Sequence, residues 1–290
     1  MKVRMLISGK KAVILLIAVG VMMGCLFGVG CYRAVSAVSR GTPVPILMYH
    51  SVCHNDRIQS KYILSPEAFE EDLRWLSQRG YTAVLVSDLV AYVNGERSLP
   101  ERPVVITLDD GFLNNKTNVL PLLRKYNMKA VISVVGSFCQ LYSETSDPNP
   151  TYAYLTWDDI ADLAASGRVE IANHTYEMHT VGLRKGCMKK SDESVAAYSA
   201  ALSADLSRLQ SILSEKSGVT PTVFAYPYGA ISAEAVFVLQ SLGFRAALTC
   251  EERVNYLSPL APDRLYRLGR FNRPSGESTE EFMTRVFGME

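Results

Sequence analysis

Two adjacent carboxylates, Asp109 and Asp110, follow a mostly apolar stretch and precede a glycine. The stretch, residues 104–108, is typical of a buried strand. Because neighbouring strand residues point to opposite faces, a regular strand would bury one of the two carboxylates. Two like charges so close also disfavour each other's ionised form, and a cation, or a proton shared with a substrate, would relieve that conflict. The alternative interpretation is a strand that ends in an ordinary Asp-Gly turn.

Histidines supply the second group of reactive side chains. The chain has four of them, and His174 and His179 follow another strand-like run, residues 169–172. A spacing of five separates two side chains by roughly 140° on a helix and puts them on opposite faces of a strand. The pair therefore converges only if the backbone turns between them. Two imidazoles and one carboxylate, with open positions for water, suit a catalytic divalent metal, whereas a solvated surface loop is the alternative.

The elements that must position these residues alternate between strand-like and helical patterns. Ser65, Pro66 and Glu67 have the order of an N-cap, a first-turn proline and an acidic first turn, and predict a helix that reaches Gln78. Strands that alternate with helices form a parallel sheet covered by helices. The strand-like runs are residues 44–49, 83–86, 104–108, 130–135, 169–172, 223–226 and 245–248, and helical patterns cover 66–78, 119–123, 157–165, 193–216 and 233–242.

The carboxyl ends of these strands gather the candidate residues. Loops at the C-terminal ends of strands build the active sites of α/β barrels. We therefore expect one site at this edge of the sheet. The candidates that fall at such strand ends are His50, Asp109, Asp110, His174, His179 and Tyr228.

Length, charge and cysteines restrict the class of protein. About 250 of the 290 residues follow the N-terminal apolar segment and its flank, which suits one large domain. Four of the 30 basic residues precede that segment, so the remainder has 26 basic against 29 acidic residues, a net charge of −3. This balance gives no support to nucleic acid as a partner, and a neutral sugar polymer fits it. The spacing of Cys53, Cys139, Cys187 and Cys250 matches no zinc motif and leaves both disulfides and free thiols open.

The N-terminus predicts where the chemistry takes place. Four basic residues precede an uncharged run from Ala12 to Tyr32, which reaches the ~20 residues needed to cross a bilayer. Basic residues on one side favour an N-inside orientation, and the run exceeds the core of a signal peptide. We therefore expect residues 1–39 to form a cytoplasmic tail, a single membrane anchor and a linker. Residues 40–290 would then be an extracytoplasmic catalytic domain at the cell membrane. Secretion after cleavage near Ser39 is the alternative.

Two motifs carry a resemblance to a known family. Residues 107–111, Thr-Leu-Asp-Asp-Gly, resemble the first motif of the polysaccharide deacetylase family, also called the NodB-homology or carbohydrate esterase 4 group. The segment from His174 to His179 is similar to the second motif. Most members space these histidines four apart. The spacing of five resembles the branch that includes the poly-N-acetylglucosamine deacetylases.

Two further stretches extend the resemblance over nearly all of the chain beyond the predicted anchor. Residues 224–229, Phe-Ala-Tyr-Pro-Tyr-Gly, are similar to the third motif, but the arginine that many members have ahead of the proline is absent. Residues 45–52 resemble the start of the domain in the same branch. Together the motifs cover roughly residues 44–273. Several motifs in the family's order form a specific signal, whereas any one alone would be weak.

The resemblance implies a fold and a set of roles. The fold would be a distorted (β/α) barrel of about seven parallel strands. Asp110, His174 and His179 would hold a divalent metal, with Zn²⁺ first and Co²⁺, Ni²⁺ or Fe²⁺ as alternatives. Asp109 would be the general base. The backbone N–H of Tyr228 would stabilise the oxyanion together with the metal.

Two departures from the commoner family pattern direct attention to other residues. No histidine follows His179, so the late-motif histidine that protonates the leaving amine in many members is missing. By its match to the related branch, His50 takes that role, with a strand-end packing residue as the alternative. The missing third-motif arginine leaves Asp109 without a partner. Arg270 is a candidate replacement that would orient and ionise the carboxylate, and a plain surface arginine is the alternative.

The expected function is removal of N-acetyl groups from a cell-surface or cell-wall glycan, poly-N-acetylglucosamine or peptidoglycan. The acetylated glycan and, through the N-terminal helix, the membrane are the expected partners, and the oligomeric state stays open. Trp157, Tyr226 and Tyr228 are candidates for stacking on sugar rings, and Pro227 completes the predicted substrate-binding set. Trp157 also fits a core position. The alternatives are an O-acetyl esterase on a polysaccharide and an inactive glycan-binding wall protein.

Overall fold

The computed structural model describes residues 41–54, 60–145, 147–259 and 261–288. Residues Pro43–Glu290 cluster into one compact unit. The predicted membrane anchor, residues 12–32, and the predicted cleavage point at Ser39 lie outside the described residues. Within the described ranges, no helix is both long enough and apolar enough to cross a bilayer.

Strands and helices alternate along the described chain. The strands are β1 (Thr42–Val44), β2 (Ile46–Tyr49), β3 (Ser51–Val52), β4 (Ile63–Leu64), β5 (Thr82–Ala83), β6 (Pro103–Leu108), β7 (Ala130–Val134), β8 (Val169–Asn173), β9 (Val223–Ala225), β10 (Ala246–Leu248), β11 (Asn255–Leu257) and β12 (Phe271–Asn272). The α-helices are α1 (Pro66–Gln78), α2 (Val86–Val93), α3 (Leu120–Lys125), α4 (Gly136–Thr145), α5 (Trp157–Ala165), α6 (Val195–Ser217), α7 (Ala235–Ser241) and α8 (Thr279–Phe287). A π-helical turn (Asn115–Val119) leads into α3, and 3₁₀ turns cover Pro227–Gly229 and Pro262–Arg267.

One parallel sheet holds the unit together. Its strands follow the order β10-β9-β8-β7-β6-β2-β12, and β5 adds to the start of β6. An isolated parallel bridge between Leu248, in β10, and Leu268, ahead of β12, joins the two edges. The prediction of an α/β fold with about seven parallel strands is thereby confirmed, as a half-barrel whose edges meet at a single bridge.

Burial on both faces explains the near-continuous apolar strands. Every residue of β2, β6 and β7 is buried, because helices cover one side of a parallel sheet and the barrel core fills the other. The helix starts follow local capping. The Ser65 hydroxyl accepts the N–H of Ala68 at 3.2 Å ahead of α1, and Thr156 with Asp159 forms a capping box ahead of α5. The sheet and its helices thus make a rigid frame for the strand ends.

The structure departs from the sequence-based elements in a few places. The predicted strand 83–86 is shortened to β5, because Val86 already begins α2. The Asp88 carboxylate accepts the Leu85 N–H at 2.9 Å at that helix start, which satisfies a donor that the helix leaves free. Helices α2, α4 and α8 and strand β12 were not predicted.

The four cysteines outside the predicted anchor are free thiols. Cys53, Cys139 and Cys187 are buried, and Cys250 is partly buried. Burial raises the pKa of the Cys187 thiol to about 12 and also raises the pKa of Cys250, since the charged thiolate is poorly solvated there. The question that the sequence left open is therefore answered in favour of free thiols.

Candidate active site

Strand β6 delivers both carboxylates to its carboxyl end. The Asp109 N–H still donates to the carbonyl of Tyr49 in β2, at 3.0 Å. Asp110 then has a φ of 71° and Gly111 a φ of 73°, so the chain leaves the sheet sharply. A Cβ at Gly111 would lie 3.1 Å from Cγ1 of Val134, and glycine alone adopts this conformation there without strain.

The chain after β8 brings the two histidines to Asp110. His174 follows the strand, and Thr175 has a φ of 73°, so the backbone turns before His179, as the spacing of five required. Nε2 of His179 lies 3.1 Å from Oδ1 of Asp110, and Nε2 of His174 lies 3.6 Å from the same oxygen. The donor atoms of these residues all lie within 4.8 Å of one another. The structure thus brings together the side chains that were predicted to hold a metal.

Outer contacts orient both imidazoles. Nδ1 of His174 lies 2.8 Å from the carbonyl oxygen of Ala225. A carbonyl only accepts, so Nδ1 carries a proton, and Nε2 is the ring nitrogen that can bind a metal beside Asp110. Nδ1 of His179 lies 3.2 Å from the hydroxyl of Tyr228. Contacts of this kind fix the tautomer and the ring direction of metal-binding histidines.

The donor set fits a divalent metal. Two imidazole nitrogens and one carboxylate oxygen are the ligands of many sites for borderline metals. Burial alone would raise the pKa of Asp110, but hydrogen bonds from His174 and His179 outweigh it and hold the pKa well below its usual range. The carboxylate is therefore ionised, as a metal ligand must be.

A buried arginine holds the other carboxylate. Arg270 is 0% exposed, and its Nη1 and Nη2 donate to Oδ1 and Oδ2 of Asp109, each at 2.7 Å. Its Nε donates to the carbonyl of Thr249 at 2.8 Å, which fixes the plane of the guanidinium. Burial would raise the pKa of Asp109, but the charge of Arg270 outweighs burial and lowers the pKa to about 2. Asp109 is consequently ionised at neutral pH.

Both groups open onto one cavity of about 590 Å³. His50, which follows β2, lies on its wall with its ring 4.6 Å from the ring of Tyr62. The side-chain amide of Asn115 donates to the His50 carbonyl at 2.9 Å and fixes its backbone. Burial lowers the pKa of His50. The cavity is lined by Met48, His50, Lys61, Tyr62, Asp109, Asp110, His174, His179, Lys185, Tyr228, Cys250, Glu252 and Asn272.

The family model described as polysaccharide deacetylase matches residues 96–247, more than half of the chain. The chain belongs to the polysaccharide deacetylase family. The resemblance first seen in the motifs is thereby confirmed, and membership supports hydrolysis of acetyl groups on glycans.

Two relatives have names that describe an activity. The poly-β-1,6-N-acetyl-D-glucosamine N-deacetylase of Escherichia coli (strain K12) is 27% identical over 263 residues, which cover 84% of this chain and 38% of that protein. The enzyme of the same name from Staphylococcus aureus (strain MRSA252) is 22% identical over 194 residues, which cover 66% of this chain and 62% of that protein. The chain therefore spans well under half the length of the Escherichia coli relative.

Solved structures show the same fold. The structure of IcaB from Ammonifex degensii superimposes with a TM-score of 0.68 and 23% identity. The alignment covers 85% of this chain and 98% of the IcaB chain. The Streptococcus pyogenes deacetylase PplD, solved in complex with acetate, has a TM-score of 0.69 and 18% identity, with 85% and 99% of the two chains covered. At these identities the likeness establishes the fold.

Arg270 is the partner of Asp109 in this structure. The third motif of this polysaccharide deacetylase begins in β9, whereas Arg270 stands just ahead of β12 at the other side of the half-barrel. The guanidinium nevertheless reaches Asp109. The surface position that was the alternative for Arg270 is excluded by its complete burial.

Three of the predicted substrate-binding residues do not line the cavity. Tyr226 is 0% exposed and packs its ring 4.9 Å from Phe224 in the layer beneath α6 and α7. Trp157 is 6% exposed, and its indole N–H donates to Gln140 at 3.1 Å. Pro227 is buried in its 3₁₀ turn and is absent from the cavity wall. Tyr228 alone among the predicted stacking residues reaches the cavity, with 41% of its surface exposed.

Other residues of the cavity wall were missed. Tyr62 is an exposed aromatic residue beside His50, and Lys61 precedes it. Lys185 lies in the loop that follows His179. No local spacing marks these residues, because each reaches the wall from a loop whose course depends on tertiary contacts.

Proposed function

We propose that this polysaccharide deacetylase is a metal-dependent hydrolase that removes N-acetyl groups from a cell-surface or cell-wall glycan. One observation carries the proposal. A single open cavity contains the Asp110, His174 and His179 donor set and, beside it, the buried Asp109 carboxylate paired with Arg270. A protein that only bound glycans would have no use for an ionised carboxylate beside a metal site.

Asp110, His174 and His179 would hold the metal, with Zn²⁺ as the first choice and Co²⁺, Ni²⁺ or Fe²⁺ as alternatives. A divalent ion there supplies Lewis-acid polarisation of the acetyl carbonyl and lowers the pKa of water. Asp109 accepts the proton of the attacking water. Arg270 keeps Asp109 ionised and directs it, because both guanidinium nitrogens bind the carboxylate and leave its remaining lone pairs to the cavity.

His50 would protonate the departing amine. It is the described histidine of the cavity that does not belong to the metal donor set. Burial lowers its pKa, so the protonated form is less populated but is a stronger acid toward the nitrogen. His50→Ala should cost about 10²–10⁴ in kcat on an amide and much less on an activated acetyl ester, whose leaving group needs little protonation. Equal losses on both substrates would mean that His50 has only a structural role.

Two tyrosines would complete substrate binding. The backbone N–H of Tyr228 is our candidate for the oxyanion, where a donor stabilises the negative charge that develops on the acetyl oxygen. Tyr228 has a φ of 59°, which holds the turn at the cavity edge. Tyr62, 44% exposed on the same wall, offers an aromatic face on which a sugar ring can stack.

The names of relatives support a polymer of N-acetylglucosamine as the substrate. The Escherichia coli and Staphylococcus aureus relatives are poly-β-1,6-N-acetyl-D-glucosamine N-deacetylases, and we infer poly-N-acetylglucosamine or peptidoglycan for this chain. The expected location is outside the cytoplasmic membrane, with residues 1–39 as tail, anchor and linker and residues 40–290 as the catalytic domain. Secretion after cleavage near Ser39 is the alternative.

The test is amine and acetate release from a panel of acetylated glycans, together with the metal content of the purified chain. We expect about one divalent ion per chain and amine release that a chelator abolishes and added metal restores. The double variant His174→Ala, His179→Ala should lose both the bound ion and amine release. Full metal occupancy in that variant would remove the metal assignment. Acetate without amine would show an O-acetyl esterase, and release of neither would leave a glycan-binding protein.

A further inference from the structure

Two lysines stand on the wall of the active-site cavity without a role in the proposed chemistry. Lys61 and Lys185 both line the cavity, and both side chains are exposed. Within the part of the chain that the structure describes, neither has a carboxylate within ion-pair distance. Most lysines on a protein surface are solvated and mobile, so the position of these two needs separate support.

Buried neighbours fix the backbone at Lys185. The N–H of Gly186 donates to the carbonyl of Thr180 at 2.9 Å, and a Cβ at Gly186 would lie 2.7 Å from the Pro227 carbonyl oxygen. The next residue, Cys187, is buried and its thiol donates to the Ala230 carbonyl at 3.4 Å. The loop is therefore packed against the third motif, and Lys185 is held beside the histidine end of the cavity.

The opposite lysine is held in a comparable way. The carbonyl of Tyr62 accepts the N–H of Ser51 at 3.1 Å, and the Ser275 hydroxyl donates to the carbonyl of Ser60 at 2.9 Å. Nζ of Lys61 lies 5.1 Å from the centre of the Tyr62 ring. That ring in turn packs on His50 at 4.6 Å. Lys61 thus lies beside the Tyr62 ring, which itself contacts His50.

The acidic groups of the cavity wall already have partners. Asp109 is neutralised by Arg270, and Glu252 pairs with Arg285 at 2.7 Å. Asp110 faces the two histidines. Apart from Asp110 in the metal donor set, the charges without an ion-pair partner on the described wall are therefore the two ammonium groups, and a bound divalent ion would offset the charge of Asp110. A cavity lined by one sign of charge concentrates ligands of the opposite sign.

We propose that Lys61 and Lys185 form an anion subsite beside the reaction centre. The inference rests on the proposed function and narrows its substrate to a glycan with an anionic oxygen group, a carboxylate or a phosphate, on or next to the N-acetylated sugar. A plain N-acetylglucosamine polymer has no group for this subsite. Its deacetylated product is cationic, and the same lysines would repel it.

The test compares matched oligosaccharides on the full-length chain. The substrates are a neutral N-acetylglucosamine oligomer, an oligomer of equal length with carboxylate-bearing muramic acid, and one with a phosphate substituent. The variants are Lys61→Gln, Lys185→Gln and the double variant. Lys190→Gln is the matched control, because Lys190 is exposed on the same loop but does not line the cavity.

We expect the wild type to have a higher kcat/KM on one of the anionic oligomers than on the neutral one. The difference should come from a lower KM and should decrease as salt is added. In the double variant, the ratio of kcat/KM on the anionic to the neutral oligomer should fall about tenfold, because two charge-assisted contacts are lost. Lys190→Gln should keep the wild-type ratio. Which of the two anionic oligomers is preferred shows whether the subsite binds a carboxylate or a phosphate.

A binding measurement separates this inference from the proposed function. Dissociation constants of the three oligomers are measured by calorimetry on Asp109→Asn protein, with and without the lysine substitutions. This variant is used so that the oligomers are not deacetylated during the titration. Tighter binding of an anionic oligomer that the double variant loses supports the subsite even if no glycan is deacetylated. Equal binding of neutral and anionic oligomers, or equal losses on both in the double variant, would overturn it.

Discussion

Two buried arginine–aspartate pairs flank the same short strand, β12. Arg270, just ahead of it, binds Asp109 through two contacts of 2.7 Å. Arg273, just after it, binds Asp72 at 2.8 and 3.3 Å. All four side chains are buried, with 0–4% of their surface exposed. The chemistry of the two pairs is the same, yet the carboxylates differ in what surrounds them.

The difference lies in how many lone pairs are occupied. A carboxylate offers about four acceptor positions. Asp72 fills all of them, since the hydroxyls of Tyr49 and Thr279 donate at 3.1 and 2.6 Å in addition to the two contacts from Arg273. Asp109 fills two with Arg270 and keeps the others toward the cavity. The Asp72–Arg273 pair joins α1, α8 and the sheet. In the Asp109–Arg270 pair, the carboxylate can still accept a hydrogen bond from another donor.

The pKa values of the two carboxyls are shifted in opposite directions. Burial raises the pKa of Asp72, and Arg273, Thr279 and Tyr49 only partly oppose it. At Asp109 the charge of Arg270 outweighs burial, and the pKa falls to about 2. A buried ion pair is therefore no indication of function by itself. The open lone pairs on an ionised carboxylate are the feature that separates the two sites.

The largest expected effect separates the two aspartates. Asp109→Asn should retain the metal and lower kcat by about 10²–10⁴, because the base is removed while the ligands stay. Asp72→Asn should lower the free energy of unfolding by roughly 1–3 kcal/mol, since an amide NH₂ would replace an oxygen that accepts two hydrogen bonds and would leave buried donors unpaired, while kcat per folded molecule changes little. Amine release and denaturant unfolding measure the two quantities. A comparable loss of kcat in both variants would mean that Asp109 and Asp72 do not differ in their catalytic role.

Substitutions of the two arginines should change the pH dependence of kcat/KM in different ways. Arg270→Met removes the largest influence that opposes burial of Asp109, so the pKa of the carboxyl rises and the acid limb of kcat/KM moves to higher pH. At neutral pH we expect a loss of roughly ten- to a hundredfold, because a charged, bidentate contact is removed. Arg273→Met is the matched control and should leave the acid limb in place. A shift of equal size in both variants would mean that the limb reports folding.

Stability should depend on pH with opposite signs at the two aspartates. The pKa of Asp109 falls from the ordinary 3.8 to about 2 on folding, so its contribution, on the order of 2 kcal/mol, is present above pH 3.8 and is lost as the pH falls toward 2. The pKa of Asp72 is raised, so its contribution becomes more favourable as the pH falls through the folded value. Unfolding of metal-free wild type, Asp109→Asn and Asp72→Asn across acidic pH measures both slopes. The same sign in both variants would contradict the contrast.

The smallest effect concerns a second pair of like residues, two tyrosines of the third motif. The Tyr228 hydroxyl contacts Nδ1 of His179, whereas the Tyr226 hydroxyl is buried with no hydrogen-bond partner in the described chain. Tyr228→Phe should weaken metal binding about tenfold, because the outer contact of a metal-binding histidine is lost. Tyr226→Phe should leave metal binding unchanged. Competition titration with a metal chelator gives both affinities, and equal affinities would remove the orienting role of Tyr228.

Local spacing made part of this molecule predictable. Asp109, Asp110, His174 and His179 stand directly after strands, and the parallel sheet places such positions at one edge. Helix α5 was predicted at its observed bounds, residues 157–165. The need for a partner to Asp109 pointed to Arg270, although no local pattern did.

Other features depend on tertiary structure and could not be predicted from the sequence. Strand β9 is buried on both faces, so its sequence has no alternation to show that Tyr226 faces the helices instead of the cavity. Tyr62 and Lys185 reach the cavity from loops whose course is fixed by distant contacts, such as the close approach of Gly186 to Pro227.

Arg270 stands 161 positions after Asp109 in the chain, and the strand that follows it pairs with β2 near the start of the described unit. A ribosome therefore produces the metal-binding residues and both carboxylates long before the guanidinium that offsets the burial of Asp109. The hydrolase activity that we propose would be acquired last during biosynthesis, when residues 268–273 dock. Until then, the growing chain would lack the group that keeps a buried Asp109 ionised.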